Sequence, residues 1–419
     1  AWLSFGAVIV ILLATVGRPR RDHAIVNFIR VQWAVTLGLL PVLVLAFGSQ
    51  SLISPIANAI AIPVFTLLIV PLVLFGCVVA AVWLQGGALV LGFAAQLLTW
   101  CWPLMSWLAE RSWAMWYFPE MPLVYSALLA VAALLLVLPS VWPTRIAAAT
   151  LIAPALFFRP PTPAAGDFAL DLLDVGQGLA IVVRTHAHTL VYDAGPAFRT
   201  GRDTGELVVL PYLRARGVRY LDRLVISHGD LDHQGGMTSV YRGMRTRNLL
   251  VGPSVDDVPN SAERCVAGQR WTWDEVTFEV LHPTPETIGG DNDTSCVLRI
   301  GGRAGSALLT GDIEASAESA LVTRGMSVAD LVVVAHHGSR SSSTEEFVAA
   351  TRPQLAIVSA GYRNRWGFPK TVITERWRSS GAAMFSTIES GAIEVSISQH
   401  GGIHVQEYRR ERRRYWSSR

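Results

Sequence analysis

Four potential metal ligands lie close together in the sequence, at His228, Asp230, Asp232 and His233. They follow the apolar run 224–226, which predicts a buried strand, and loops at strand ends commonly carry function. Imidazole nitrogens and carboxylate oxygens are groups that bind divalent metals such as zinc and manganese in proteins. The segment therefore predicts a metal site, whereas a solvated polar loop is the plainer alternative.

Two further strand ends carry the same kinds of side chain. The apolar run 307–310 ends in Gly311 and Asp312, and the run 331–335 ends in His336 and His337. Because an α/β scaffold assembles one site from the carboxyl ends of several strands, we expect these groups to meet the first segment. Taken alone, Asp312 serves equally well as the cap of a following helix, and the His pair as an exposed loop. Spacing does not distinguish which histidine binds metal.

The segment 281–295 offers more polar side chains near the same strands. His282 stands before a proline at the end of an apolar run, which favours a strand-to-loop transition over a metal ligand. Asn292 and Ser295 are expected to face the metals or the substrate. Asp293 is either another such residue or a plain turn residue.

The elements that must position these residues begin after residue 166. Short β-branched runs bounded by Gly, Asp or His alternate with the helical stretches 205–216 and 313–324, which predicts an α/β domain over 167–407. Its predicted strands are 170–173, 180–184, 189–193, 223–227, 296–300, 307–311, 330–335, 355–359, 386–397 and 403–407.

The first 158 residues have a different composition. They hold only nine charged residues of a 419-residue chain that is 51% hydrophobic, and residues 53–101 hold none. Such runs need lipid or a very large core, and the uneven charge excludes one uniform soluble globule. We expect a polytopic α-helical membrane domain over 1–158. The first run is short, which suggests a fragment of a larger membrane protein. The expected spans are 5–16, 31–47, 63–84, 88–107, 122–138 and 146–158, with an interfacial or re-entrant helix at 51–62.

Arginines and prolines mark the remaining boundaries. Proline-rich 159–166 predicts a linker, and the basic segment 408–419 predicts a tail that contacts DNA, contacts lipid headgroups or is simply solvated. Positively charged loops stay in the cytoplasm, and alternation of the spans then places residues after 158 on the other side. The first loop is assigned to the cytoplasm by Arg18, Arg20, Arg21 and Arg30.

Two cysteine pairs have different surroundings. Cys77 and Cys101 lie in apolar runs and are expected to act as small hydrophobic residues. Cys265 and Cys296 can form a disulfide if their domain faces an oxidising compartment, or stay reduced if it does not.

The ligand pattern resembles the metallo-β-lactamase superfamily, whose hallmark is His-x-His-x-Asp-His with a later bridging Asp and final His. Asp230 replaces the second His here, which shifts the donors toward oxygen. The superfamily's third His has no obvious counterpart. The resemblance implies an αββα sandwich that binds two divalent ions, manganese or zinc. It assigns His228 and Asp230 to the first metal, Asp232 and His233 to the second, Asp312 to the bridge, and either His336 or His337 to the second metal.

A narrower resemblance covers almost the whole chain. Five segments in order, 173–178, 192–195, 227–236, 309–314 and 335–339, resemble motifs of the ComEC family of DNA-internalisation proteins. The membrane part also resembles that family's competence domain over 47–63. Two departures are Leu179, where many members have an acid, and Phe368, where many have a His.

The ComEC resemblance implies DNA uptake in natural transformation. The membrane domain would pass single-stranded DNA, and an extracytoplasmic nuclease, a metal-dependent phosphodiesterase, would degrade the other strand of presented double-stranded DNA. Two ions lower the pKa of a shared water and neutralise phosphodiester charge. The catalytic residues would be Asp232, His233 and His228. The substrate-binding residues would be Asn292, Ser295, Ser339 and Asn364. Three further residues would support the metal ligands and shape the turns around them: Asp174, Gln177 and Asp193.

Three arginines and a tryptophan beside this site offer positive charge and an aromatic ring. Arg340, Arg363 and Arg365 supply positive charge for a polyanion, and Trp366 either stacks a base or packs in an apolar seam.

The implied setting is the inner (cytoplasmic) membrane, with the lipid bilayer, a separate DNA receptor and a cytoplasmic ATPase as partners and an oligomer as a further option. The sequence contains no Gly-x-x-x-x-Gly-Lys loop, so an ATPase has to be another chain. Two alternatives stay open. In the first, the site hydrolyses a phosphoester of an envelope molecule. In the second, the domain is a catalytically weak docking platform for DNA.

Overall fold

The computed structural model describes residues 2–15, 24–111, 113–138, 142–287 and 290–411. The chain divides into two compact units. One comprises Ala1–Pro160 with Arg214–Gly217, and the other comprises Pro161–Leu213 with Val218–Arg419. The division falls inside the proline-rich segment 159–166, where the composition changes.

The first unit is helical, as long uncharged apolar runs require. Among the described residues, three helical runs are long and apolar enough to cross a membrane: Val26–Phe47, Ser54–Val82 and Leu84–Ala109. Leu3–Thr15 and Leu123–Val137 are shorter apolar helices. The elements are α1 (Trp2–Thr15), α2 (Ala24–Phe47), β1 (Ser49–Ser51), α3 (Ser54–Pro63), α4 (Val70–Val82), α5 (Leu84–Ala109), β2 (Met115–Tyr117), α6 (Leu123–Val137) and α7 (Trp142–Phe157).

The predicted boundary between the helix 51–62 and the span 63–84 is wrong. α3 continues through the π-helical segment Val64–Ile69 into α4, so the interfacial helix 51–62 and the span 63–84 form one run of 29 residues. Proline removes a backbone donor from a helix, and a local change to wider π-helical bonding accommodates it. The described parts of 5–16, 122–138 and 146–158 lie in helices of 14, 15 and 16 residues, shorter than the three long runs.

Parts of two predictions lie outside the described residues. These parts are Arg18, Arg20 and Arg21 of the first loop, and residues 412–419 of the basic tail. The start of the tail is helical at Tyr408–Glu411, where Arg409 donates to the Asp174 carboxylate at 2.9 Å.

The second unit is built from two sheets. Its strands are β3 (Phe168–Leu172), β4 (Ile181–Arg184), β5 (Thr189–Tyr192), β6 (Leu221–Ile226), β7 (Thr246–Val251), β8 (Glu263–Arg264), β9 (Arg270–Trp273), β10 (Val276–His282), β11 (Val297–Gly301), β12 (Ser306–Leu309), β13 (Leu331–Val333), β14 (Leu355–Val358), β15 (Ala383–Ser386), β16 (Ile393–Ser398) and β17 (Gly402–Glu407). Within the described chain, eight strands form one sheet in the order β17-β16-β3-β4-β5-β6-β7-β8, and seven form the other in the order β15-β14-β13-β12-β11-β10-β9.

The helices of this unit are short. They are α8 (Leu210–Ala215), α9 (Leu231–Gln234), α10 (Met237–Gly243), α11 (Ala315–Thr323), α12 (Glu345–Thr351), α13 (Thr371–Ser379), α14 (Thr387–Ser390) and α15 (Tyr408–Glu411). The predicted strand 386–397 is wrong in its first half, which is α14. The Ser386 hydroxyl accepts from the Ile388 N–H there and starts a helical turn.

Alternation along the strands builds three buried layers. In β6, Val225 joins the core between the sheets, while Leu224 and Ile226 face the core under α8 and α10. In β13, Leu331 and Val333 face the core between the sheets, and Val332 faces the helical side. Period-two alternation with apolar residues on both faces is the pattern of a strand covered on both sides. The predicted αββα sandwich is confirmed.

Parallel pairing brings the chemical residues to common sheet edges. β5 and β6 are parallel neighbours in one sheet, and β12, β13 and β14 are parallel in the other. Their carboxyl ends lead into Asp193, Ser227, Thr310, Val334 and Ser359. The candidate site lies in the loops that follow these ends.

Candidate metal centre

The loop after β6 buries its first histidine in a defined orientation. The Ser227 hydroxyl donates to the Asp193 carboxylate at 2.7 Å, so it accepts from His228 Nδ1–H at 2.9 Å. That tautomer leaves a lone pair on His228 Nε2. Within the described part of the chain this buried nitrogen has no hydrogen-bond partner, which is costly unless another ligand is bound.

Asp193 orients the second histidine as well. Its carboxylate accepts from the Ser227 N–H at 2.6 Å and from His233 Nδ1–H at 2.8 Å. Asp193 is fully buried and has a left-handed backbone with φ 59°. A carboxylate behind an imidazole fixes the tautomer that leaves Nε2 free to bind metal.

Asp312 reaches the same place from β12. Gly311 has φ 57°, and a Cβ there would lie 2.9 Å from Ser295 Cβ and 3.1 Å from Ser227 Cβ. Glycine thus allows the end of β12 to approach the end of β6. The Asp312 N–H donates to Ser295 Oγ at 3.2 Å, which holds the carboxylate in position.

The two consecutive histidines differ in their surroundings. His337 is buried, and its Nδ1–H donates to the Ser359 carbonyl at 2.9 Å, which leaves Nε2 free. His337 Nε2 lies 3.4 Å from the Asp232 carboxylate and 3.6 Å from that of Asp312. His336 Nδ1 lies 3.2 Å from the Glu314 carboxylate, and its Nε2 is 3.9 Å from Asp312.

Two groups of side chains could each hold an ion. His228, His233 and Asp312 form one, and Asp232, His233 and His337 form the other, with ligand atoms within 4.8 Å of one another in each group. His233 Nε2 lies 3.2 Å from Asp312 Oδ1 and 3.3 Å from His337 Nε2. Ligands about 2.1 Å from one tetrahedral ion lie about 3.4 Å apart, so these separations fit a metal.

The charges of the cluster favour a cation. Burial alone would disfavour every charged form, but the opposite charges outweigh it. The pKa of Asp312 is held well below its usual range by the neighbouring His233 and His337. Asp312 and Asp193 in turn raise the pKa of buried His233 well above its usual value. Asp312 and the hydrogen bond with Asp232 likewise raise the pKa of buried His337.

The donor set fits the divalent ions that the sequence predicts. The Nε2 atoms of His228, His233 and His337 converge with the carboxylate of Asp312, and a divalent ion would take the place of the protons that the raised pKa values of His233 and His337 favour. The partners behind the imidazoles orient them through Nδ1. Asp230 is more exposed, at 47% of its side chain, but its carboxylate lies 3.5 Å from His228 Nε2, and its role as a ligand stays a prediction.

Other predicted residues take positions outside this cluster. His282 donates through Nε2 to the Asp293 carbonyl at 2.7 Å, and its Nδ1 accepts from Arg324. The Asp293 carboxylate accepts from the N–H of Glu314, 21 residues further along the chain, and so contacts the start of α11 rather than its own turn. Asp174 instead accepts from the Gly176 N–H and from Arg409.

The predicted substrate contacts are placed unequally. Ser295 is fully buried against Asp312, so its substrate contact is not supported and it positions the carboxylate instead. Asn364 donates to the Gly361 and Phe368 carbonyls and accepts from the Phe368 N–H, which ties up its amide within one loop. Asn292 approaches Glu314 at 3.4 Å, and Ser339 lies 3.0 Å from Ser341; substrate contact by these two stays a prediction.

The residues that support the site were predicted only in part. Gln177 was predicted near the site, and it accepts from the Gly361 N–H at 3.2 Å. Glu314 was not predicted; it contacts His336 and Ser341, and the only signal for it was its place two residues after Asp312. Ser227 directly precedes His228 in the sequence, which was the available signal for its role.

Cys265 and Cys296 are joined in a disulfide, with Cα atoms 5.9 Å apart, and both are fully buried in the core between the sheets. Their pairing was left open by the sequence.

The fold and the site together define the class: a helical part with apolar spans, followed by a metallo-β-lactamase domain. The Competence protein family model matches residues 1–143, and that of the metallo-β-lactamase superfamily matches residues 173–362. The chain has the architecture of the ComEC family, as the motifs predicted. This fold indicates a metal-dependent hydrolase and implies divalent metal binding.

Relatives match over most of the chain. It is 35% identical to Competence protein ComA of Neisseria gonorrhoeae, over 97% of this chain and 57% of the relative. It is 35% identical to Recombination protein 2 of Haemophilus influenzae, over 57% of this chain and 30% of the relative. It is 29% identical to the uncharacterized protein YcaI of Escherichia coli, over 96% of this chain and 53% of the relative. The chain spans about half the length of these relatives or less.

Proposed function

We propose that this chain acts in DNA uptake during natural transformation. Its helical unit passes single-stranded DNA across the inner membrane, and its metallo-β-lactamase unit hydrolyses phosphodiester bonds of the strand that is not transported. The observation that carries the proposal is a buried cluster of histidines and aspartates whose imidazole Nε2 atoms converge, in a chain of competence architecture.

The ligands that we propose are the convergent groups. Because His233 Nε2 has a single lone pair, His233 would bind one ion, either with His228 and Asp312 or with Asp232 and His337, and the remaining ligands of the other group would hold the second ion. Bound ions of this kind, manganese or zinc, supply Lewis acidity for hydrolysis of a phosphate ester.

The protein's own groups orient and support this centre. Asp193 and the carbonyl of Ser359 hold the imidazoles of His233 and His337 in one tautomer each. The Asp232 side chain is 32% exposed, whereas that of Asp312 is 5% exposed, so Asp232 is the group that borders the opening to substrate. We propose that Asp232 positions the reacting phosphate and its water.

Placement outside the cytoplasm is also proposed. A buried disulfide such as Cys265–Cys296 persists in oxidising compartments and is rare in the cytosol. The metallo-β-lactamase unit then meets incoming DNA on the periplasmic side. A separate DNA receptor, a cytoplasmic ATPase and self-association are the partners proposed for this role.

The test is cleavage of labelled single- and double-stranded DNA by the purified chain in detergent, with manganese, zinc or a chelator. We expect metal-dependent cutting that the Asp232→Ala variant loses by more than about a hundredfold, a larger loss than removal of a partner behind a metal ligand causes. Asp274→Ala is the matched control, because Asp274 also pairs with a histidine, His188, at 3.0 Å.

Absence of cutting by a folded, metal-loaded chain would refute the nuclease proposal. Hydrolysis of a choline-phosphate ester in place of DNA would instead support the envelope-hydrolase alternative. Binding of DNA without hydrolysis would support the docking platform.

A further inference from the structure

The loop between β14 and α13 exposes aromatic rings interleaved with cations. Tyr362 is 65% exposed and Trp366 is 43% exposed. The guanidinium of Arg365 lies 4.2 Å from the centre of the Trp366 ring, and that of Arg363 lies 5.2 Å from the Tyr362 ring. We name Tyr362, Trp366 and Phe368 with these two arginines the aromatic ledge.

The aromatic ledge starts at the candidate metal centre. The Phe368 ring packs edge-on against His336 at 6.0 Å between centroids, and His336 Nε2 lies 3.9 Å from the Asp312 carboxylate. Trp366 lies parallel to Phe368, with centroids 6.4 Å apart and an interplanar angle of 9°. A line of flat rings therefore leads outward from the carboxylate proposed to bind metal.

The loop is preorganised by its own hydrogen bonds. Asn364 bridges both of its ends through the Gly361 and Phe368 carbonyls at 2.9 and 2.7 Å. Lys370 Nζ donates to the Trp366 carbonyl at 2.5 Å. Rings held in place before binding lose little conformational freedom when a ligand stacks on them.

We infer that the aromatic ledge binds the bases of single-stranded DNA and leads that strand into the metal centre. This rests on the proposed nuclease function and adds the form of its substrate. Duplex bases are already stacked on each other, whereas unpaired bases expose faces for stacking on Trp366 and Phe368, with phosphates beside Arg363 and Arg365. The metal centre therefore acts on unpaired segments and reaches duplex DNA only at opened ends.

Three oligonucleotides test this inference on the whole chain in detergent. They are a short oligothymidylate, an abasic oligonucleotide of the same length, and a duplex whose two strands are joined at each end by a non-nucleotide linker, each with phosphorothioate linkages for binding and phosphodiesters for cleavage. We expect Trp366→Ala to weaken binding of the oligothymidylate, and raise its KM, by about tenfold. Binding of the abasic strand and of the duplex stays unchanged, because neither offers a free base. Trp366→Phe retains most of the affinity.

The matched control is Tyr220→Ala. Tyr220 is 36% exposed and also carries an arginine, Arg247, 4.1 Å from its ring centre. It precedes β6, at the end of the strand opposite His228. This variant is expected to bind all three oligonucleotides as the parent chain does.

Equal losses on the abasic strand and the oligothymidylate would overturn the inference, since they would indicate charge or folding rather than stacking. So would no loss at all, or a loss of binding to anionic lipid vesicles in place of DNA. Binding is measured on phosphorothioate DNA and cleavage on phosphodiester DNA, so base stacking on the ledge and the proposed nuclease activity are tested separately. A chain that binds through Trp366 without cutting refutes the nuclease alone, and a chain that cuts DNA independently of Trp366 refutes the ledge alone.

Discussion

Replacing Asp193 with Asn perturbs the candidate metal centre from behind. The change keeps the shape of the side chain, and Asn tolerates the left-handed backbone at φ 59°. One carboxylate oxygen becomes an N–H donor opposite His233 Nδ1, which now lies 2.8 Å from Asp193. His233 must then accept at Nδ1 and carry its proton on Nε2. That proton occupies the lone pair that points toward Asp312 and His337.

The expected loss follows from this single bond. Removing the partner behind a metal-binding imidazole typically costs about 10- to 100-fold in metal affinity. That range corresponds to about 1.4 to 2.7 kcal/mol. We place Asp193→Asn at the upper end, because the same carboxylate also accepts from the Ser227 hydroxyl that orients His228.

The assay is calorimetric titration of the whole chain with zinc or manganese, with thermal unfolding measured on the same samples. Asp274→Asn is the matched control, since the Asp274 carboxylate accepts from Thr185, the Ala187 N–H and His188. The control is expected to lose stability without losing metal affinity. An Asp193→Asn variant that is folded and binds metal as tightly as the parent chain would refute the orientation argument.

The remaining predictions concern the histidine pair and pH. His337→Ala is expected to lower metal affinity at least about tenfold more than His336→Ala. The reason is that His337 Nε2 is buried among the carboxylates, whereas His336 pairs with Glu314. Equal losses in the calorimetric titration would contradict this prediction. Burial opposes ionisation of Asp274, but hydrogen bonds from Thr185, Ala187 and His188 lower its pKa to about 2. Its stabilisation is therefore complete above the unfolded pKa of about 3.9 and is lost as the pH falls toward 2. In denaturant unfolding, the Asp274→Asn variant should be less stable than the parent chain by about 1 to 2 kcal/mol at pH 7 and by almost nothing near pH 2. A stability difference that does not depend on pH would contradict this prediction.

Strand ends were the most predictable part of the site. β12 and β13 are leucine- or valine-rich runs and β6 ends in one, and the candidate ligands follow within a few residues, so local pattern alone pointed to His228, Asp312 and the pair His336 and His337. The strands β7, β8 and β9 and most of β15 were missed, because their exposed polar or aromatic residues do not give the same pattern.

Long-range contacts were beyond the sequence pattern. The choice between His336 and His337 depends on two consecutive left-handed residues, with φ 49° and 53°, that turn the imidazoles to different partners. The burial of Ser295 depends on the close approach of Gly311. The Cys265–Cys296 pair depends on the approach of the residue after β8 to the residue before β11. Neither spacing nor composition encodes these approaches.

The position of bound metal tests the account most directly. Crystals of the chain grown with manganese would be measured by anomalous X-ray scattering. We predict a peak with His233 Nε2, His337 Nε2 and an acidic oxygen as neighbours, at about 2.0 to 2.3 Å. Well-ordered side chains of His233, His337 and Asp312 with no peak between them, or a peak at His336 alone, would contradict the account.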